Sequence, residues 1–205
     1  MVELNKIYNE DCLSTLKRIP DNFIDCVVTS PPYWGLRDYG VDGQIGLEPT
    51  LEEYFEKMLR ITAEIKRVLK PTGVVFWNHG DKYLTNRKCL AMQNYRFIIR
   101  MLDEQDWILR NVIIWHKPNS ITTGVKDRFD NSHDVVFMLV KNKFYWFDID
   151  SVRKRLEKGF GSHKNGFSSY LEKNGIIIIQ LVKIQVTFGQ YPFNRSLKPT
   201  LPPFL

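Results

Sequence analysis

Residues 23–29, Phe-Ile-Asp-Cys-Val-Val-Thr, form a short, nearly unbroken apolar run that stops at Ser30-Pro31-Pro32-Tyr33. A run of this length and composition reads as a strand of a parallel sheet, covered on both faces. Two consecutive prolines have no N–H to give to a ladder, so they end the strand at its carboxyl edge. Open α/β sheets put their ligands at that edge. The segment 30–33 is therefore the first place to look for function.

The flanking pattern supports an α/β chain. Residues 5–9 suggest a short strand, and apolar positions 12, 13, 16 and 19 have helical spacing before Pro20-Asp21-Asn22 breaks it. Positions 51, 54, 55, 58, 59, 61, 65, 68 and 69 give residues 48–69 one apolar face, predicting a long helix that Pro71-Thr72-Gly73 ends. A strand over 74–77, a helix over 96–104 and a strand over 107–115 follow. After a loop over 117–132, residues 134–140 and 144–147 suggest a hairpin across Lys141-Asn142-Lys143. Alternating strands and helices with a closing hairpin predict a doubly wound sheet with an antiparallel edge. Beyond about residue 153 the periodicity is lost. The chain thus divides into a core over 1–152, a basic segment over 153–173 and a tail over 174–205.

With 205 residues, 43% of them hydrophobic, one α/β domain is expected. An excess of 29 basic over 23 acidic side chains, a net charge of +6, suits a polyanionic partner without demanding one. Lys117, Lys126, Arg128, Arg153, Lys154, Arg155, Lys158, His163 and Lys164 concentrate this charge in the second half, as a phosphate-binding or simply solvated face. No run of 18 apolar residues and no basic-then-apolar leader is seen, which reads as a cytoplasmic chain with no membrane contact. Cys12, Cys26 and Cys89 are odd in number and widely spaced, so they are expected to be buried thiols. The four histidines lack metal-ligand spacing, and no metal is expected.

An exocyclic amino nitrogen on a nucleobase is a poor nucleophile because its lone pair is delocalised into the ring. Acceptors on its hydrogens pull it toward tetrahedral geometry, and an aromatic face can hold an extruded base in line with a methyl donor. Ser30-Pro31-Pro32-Tyr33 offers a side-chain oxygen, a carbonyl held by the following proline, and a ring for stacking. As a bare tetrapeptide it is equally a turn. Its setting decides otherwise. The segments 7–13, 25–39, 67–73, 114–119 and 133–148 occur in an order that resembles the DNA amino-methyltransferases making N4-methylcytosine or N6-methyladenine.

That resemblance covers roughly residues 4–155. It implies a Rossmann-like sheet, S-adenosylmethionine as cofactor, and double-stranded DNA with a flipped base as substrate, in a restriction-modification system with a cognate restriction endonuclease. It implies direct in-line transfer without a covalent enzyme–base intermediate, with Ser30 and Pro31 orienting the amino group, Pro32 shaping the turn and Tyr33 stacking. Serine at the first motif position points to N4 of cytosine, with N6 of adenine as the alternative. Asp11 is either a helix N-cap or a contact to the adenine or ribose of the cofactor. Trp34, Arg37 and Tyr39 are offered as a DNA cleft, Trp34 alternatively as core, and Asn119 as a pocket-side loop residue or a turn residue.

The family's glycine motif for the cofactor, F-x-G-x-G, is expected near the C-terminus and is not found. Gly159-Phe160-Gly161 follows a charged stretch instead of a buried strand. Codon degeneracy lets residues 175–205 be read in the neighbouring frame as a string containing N-P-G-D-F-W and H-F-A-T-F-P, which resembles the family. Glu172-Lys173-Asn174 can be encoded by a run of adenines. Residues from about 174 onward are therefore read as frameshifted. This leaves a second reading of the chain, as an inactive DNA-binding remnant.

Overall fold

A computed structural model of the protein describes residues 2–119 and 124–152; the readings made for 153–173 and 174–205 lie outside the described residues. The chain runs through α1 (Cys12–Lys17), β1 (Ile24–Thr29), α2 (Leu51–Val68), β2 (Leu69–His79), β3 (Tyr83–Leu84), β4 (Cys89–Leu90), α3 (Gln93–Gln105), β5 (Ile108–His116) and β6 (His133–Val140). Four strands form one sheet in the order β1-β2-β6-β5. β1 and β2 pair in parallel, joined through α2, while β6 runs antiparallel to both its neighbours. This is the expected Rossmann-like sheet with an antiparallel hairpin at one edge.

The long helix forms where its pattern says, but Thr50 starts it. The Thr50 hydroxyl accepts from the Glu53 N–H at 3.2 Å and the Glu53 carboxylate accepts from the Thr50 N–H at 3.3 Å, a reciprocal capping box. Its apolar face, Tyr54, Phe55, Met58, Ile61 and Ile65, joins Leu16, Val75, Trp77, Phe97, Phe137 and Leu139 in the main core cluster. Alternate residues of the same strands, Val74, Met138 and Val140, build a smaller cluster with Phe76, Ile108 and Tyr145. Arg67 ties α2 to the end of α1, donating to the Leu16 and Ile19 carbonyls, both at 2.9 Å, the former also accepting from the Ile19 N–H at 3.0 Å.

Several local expectations are corrected. Residues 5–9 are not a strand: Asn5 has φ 59°, a turn conformation. Pro71-Thr72-Gly73 does not separate helix from strand, because the chain enters β2 directly at Leu69, paired with Ile24, and the register then shifts before Cys26↔Val74. The hairpin partner of β6 is β5 and not 144–147. Residues 144–147 hold instead through the Trp146 N–H on the Thr72 carbonyl at 3.0 Å and Arg110 Nε on the Tyr145 hydroxyl at 3.0 Å. Cys26 and Cys89 are exposed and Cys12 half-buried, so only Cys12 approaches the buried thiol expected of all three. Cys26 points outward from an edge strand whose inward positions are Ile24, Val27 and Thr29. Among the described residues no helix is long and apolar enough to cross a membrane, and no cluster of three or more metal-ligating side chains occurs.

Replacing Thr50 by alanine removes half of the capping box and should cost about 1 kcal/mol. Urea unfolding should give a lower midpoint with an unchanged slope; an unchanged midpoint would mean that the helix start is held by packing alone.

Candidate active site

Because β1 and β2 are parallel and Thr29 pairs with Trp77, the turn after β1 lies beside the end of β2. β6 begins at the same edge, since His79 pairs with Val135. Three chain segments thus meet there: 30–33, 78–81 and 133–134. Ser30, Pro32 and Tyr33 are partly exposed and Pro31 is buried. The Ser30 hydroxyl is 3.2 Å from the Tyr33 hydroxyl and accepts from the Asn78 amide at 3.4 Å. The Asn78 side-chain oxygen, Oδ1, is buried beside it with no hydrogen-bond partner among the described residues. Burial pushes the Tyr33 phenol up to about 12, with nearby Asp134 adding to the effect and the Ser30 hydrogen bond opposing it, so the ring is neutral.

Beneath this rim lies a buried layer. The Tyr54 hydroxyl donates to the Pro32 carbonyl at 2.9 Å and is 3.2 Å from His79 Nε2. The Tyr33 and His79 rings lie 5.1 Å apart and tilted by 46°. Gly80 leaves the room that the Tyr33 ring uses: a β-carbon there would come within 2.7 Å of the ring. Asp134, at the start of β6, pairs with Lys117 at 2.5 Å.

The remaining predicted site residues divide. Asp11 is the N-cap of α1, its carboxylate accepting from the Ser14 N–H at 3.0 Å and from the Ser14 hydroxyl at 3.3 Å. Trp34 packs on the main core and its indole N–H donates to the Glu48 carbonyl at 2.8 Å, with Lys82 Nζ 5.2 Å from its ring centroid. Glu48 is itself buried, accepting from the Gly46 N–H at 2.8 Å, and Lys57 Nζ forms an ion pair with its other oxygen at 2.9 Å. Arg37 and Tyr39 are exposed on the loop after the motif, which Gln44 braces through the Arg37 carbonyl and the Tyr39 N–H, both at 2.7 Å. Tyr39 is near enough to Tyr33 to add slightly to the rise in its pKa. Asn119 is exposed in the turn after β5, three strand spacings or about 14 Å across the sheet from β1. Tyr54, Asn78, His79 and Gly80 were not singled out from the sequence. The signal for three of them was the position of Asn78-His79-Gly80 at the end of the neighbouring strand.

A family model described as DNA methylase matches residues 24–190. The type II methyltransferase M.Cfr9I of Citrobacter freundii is 36% identical over 192 residues, covering 80% of this chain and 63% of that protein. The type II methyltransferase M.MwoI of Methanothermobacter wolfeii is 42% identical over 139 residues, covering 67% of this chain and 21% of that protein. The chain therefore spans less than two thirds of these relatives. Among solved structures, the PvuII DNA methyltransferase (cytosine-N4-specific) has the same fold, with a TM-score of 0.60 at 23% identity over 73% of this chain and 54% of that one.

The buried layer gives the site a pH signature. Burial lowers the pKa of His79 from 6.5 to about 3, so the folded chain holds the ring neutral. The unfolded chain binds a proton there below about 6.5. Stability from this group is complete above that pH and is lost as pH falls toward 3, by up to about 1.4 kcal/mol per pH unit. Denaturant unfolding between about pH 7.5 and 5 should reveal that slope, and His79→Gln should flatten it; an equal slope in the variant would assign the acid sensitivity to other groups.

Proposed function

The chain belongs to the DNA methylase family, and from that membership we propose that it is the catalytic part of a DNA amino-methyltransferase acting on N4 of cytosine. The observation that carries the reading is the motif Ser30-Pro31-Pro32-Tyr33 at the carboxyl edge of β1, with its hydroxyl network and neutral ring. A Ser30 hydroxyl that accepts from Asn78 and donates to Tyr33 keeps one lone pair for an amino hydrogen of an extruded base. The Pro31 carbonyl takes the other amino hydrogen, and the Tyr33 ring stacks on the base. Drawing both hydrogens toward acceptors makes the nitrogen lone pair available for direct attack. Serine at the first motif position favours cytosine, and the PvuII DNA methyltransferase, which shares the fold, is a cytosine-N4-specific enzyme.

S-adenosylmethionine supplies the methyl group in this reading. The glycine motif expected for it is not found in the sequence, and Asp11, which the resemblance offers as a cofactor contact or a helix cap, caps α1 through Oδ1 and leaves Oδ2 without a bond among the described residues. The frameshift reading accounts for the missing motif, while the family match runs in the present frame to residue 190, past the start of the segment concerned. Sequencing the gene through and beyond codon 174 tests it; a neighbouring frame that is closed, or open without F-x-G-x-G, would end that explanation. A second reading is a remnant that binds DNA without catalysis. Tight binding of S-adenosylmethionine by the 205-residue chain, measured calorimetrically, would contradict the remnant. Double-stranded DNA as partner, Arg37 and Tyr39 at its cleft, and a cognate endonuclease belong to the same proposal.

Mass analysis of nucleosides from DNA incubated with a frame-restored protein and S-adenosylmethionine should reveal N4-methyldeoxycytidine. N6-methyldeoxyadenosine in its place would overturn the choice of base. Tyr33→Ala should lower the rate about tenfold to a hundredfold, the worth of one stacked base; a variant as fast as the parent would remove Tyr33 from the pocket.

A further inference from the structure

Pro31 and Pro32 have no N–H, so the turn that carries the motif can be held only through carbonyls and side chains. The hold on Pro32 comes from α2. Tyr54 is fully buried and its hydroxyl donates to the Pro32 carbonyl at 2.9 Å. A phenol has one proton, so toward any further partner that oxygen is an acceptor. His79 Nε2, 3.2 Å away, must then carry the hydrogen. The ring's other nitrogen, Nδ1, is buried without a hydrogen-bond partner among the described residues, which suits a bare lone pair better than an N–H. The same imidazole packs against the Tyr33 ring at 5.1 Å and edge-on against Phe97 at 6.2 Å. His79 thus reaches the backbone of the motif through Tyr54 and the stacking ring directly.

We infer that His79 and Tyr54 are positioning residues for the base pocket, through a relay His79 Nε2–H to Tyr54 O–H to Pro32 carbonyl that fixes the motif turn while the imidazole fixes the slant of the Tyr33 ring. Neither side chain touches the reacting atoms. Their effect is geometric: the Pro31 carbonyl precedes the pinned Pro32 carbonyl by one peptide unit, so freeing the second lets the first rotate away from an amino hydrogen. Burial, which keeps the imidazole neutral, preserves the bare Nδ1 that the relay requires. The inference rests on the reading of residues 30–33 as the pocket for the base.

Two measurements separate its failure from failure of that reading. Long-range proton–nitrogen correlation spectra of the full 205-residue chain report the ring tautomer without any activity. The relay requires the hydrogen on Nε2, and a hydrogen on Nδ1 overturns it. Methyl transfer to unmethylated bacterial DNA then tests the role. Tyr54→Phe keeps the ring and removes both hydrogen bonds, and should lower kcat about tenfold while KM for DNA changes little. His79→Gln, which retains an N–H donor, should be faster than His79→Phe. Thermal unfolding of each variant separates a loss of fold from a loss of placement. With the parent chain active, a Tyr54→Phe variant of parental kcat overturns the positioning role. With the parent chain inactive while its tautomer is as expected, it is the functional reading that falls, and the positioning role with it.

Discussion

The parallel pairing of β1 with β2 governs the whole site, because parallel neighbours bring their carboxyl ends to one edge. Beyond Thr29↔Trp77, residues that follow β1 face the last residues of β2 and the glycine after it: Ser30 meets Asn78, and Tyr33 meets His79 and Gly80. The requirement for parallel strands also dictates α2, since such strands need a crossover, and the crossover supplies Tyr54. Pairing, helix and hydroxyl network are therefore one arrangement. β6, inserted antiparallel on the far side of β2, adds Asp134 to the same rim.

The polar economy of the region follows from the prolines. A turn without amide donors has less to satisfy inside the protein but also less to hold it, and the hold passes to a phenol, an imidazole and a carboxamide. These groups sit against apolar neighbours such as Phe97, where a hydrogen bond has little competition from water. The loop over 34–49 follows the same logic with a different group, the buried Glu48 carboxylate collecting the Gly46 N–H while its backbone carbonyl collects the Trp34 indole.

What could be read in the sequence was whatever local pattern determines. The strand ending at Ser30-Pro31-Pro32-Tyr33 was legible because two prolines and a β-branched run permit little else. The helix from Leu51 was legible because its apolar positions repeat with helical period over 18 residues. Pairing partners were not legible. Residues 144–147, Phe-Tyr-Trp-Phe, have the aromatic composition of a strand, but β6 is already flanked by β2 and β5, so no edge is left for them. The turn at Asn5 and the outward Cys26 were missed because both depend on where the sheet stops. Asp11 allowed two roles from sequence alone, and the structure supplies the capping bond of one of them. His79 was passed over because a lone histidine after a strand carries no local signal; only the approach of α2 gives it a partner.

Gly80 and Tyr33 share one small volume, since a β-carbon at 80 would press within 2.7 Å of the ring. The two positions therefore cannot drift independently over evolutionary time. A side chain at 80 becomes acceptable only after the ring at 33 has shrunk or swung aside, and once a methyl group occupies that space the ring cannot return until it is lost again. The order of substitutions matters, and the bare α-carbon of Gly80 acts as a ratchet that keeps an aromatic residue accessible at the motif's fourth position.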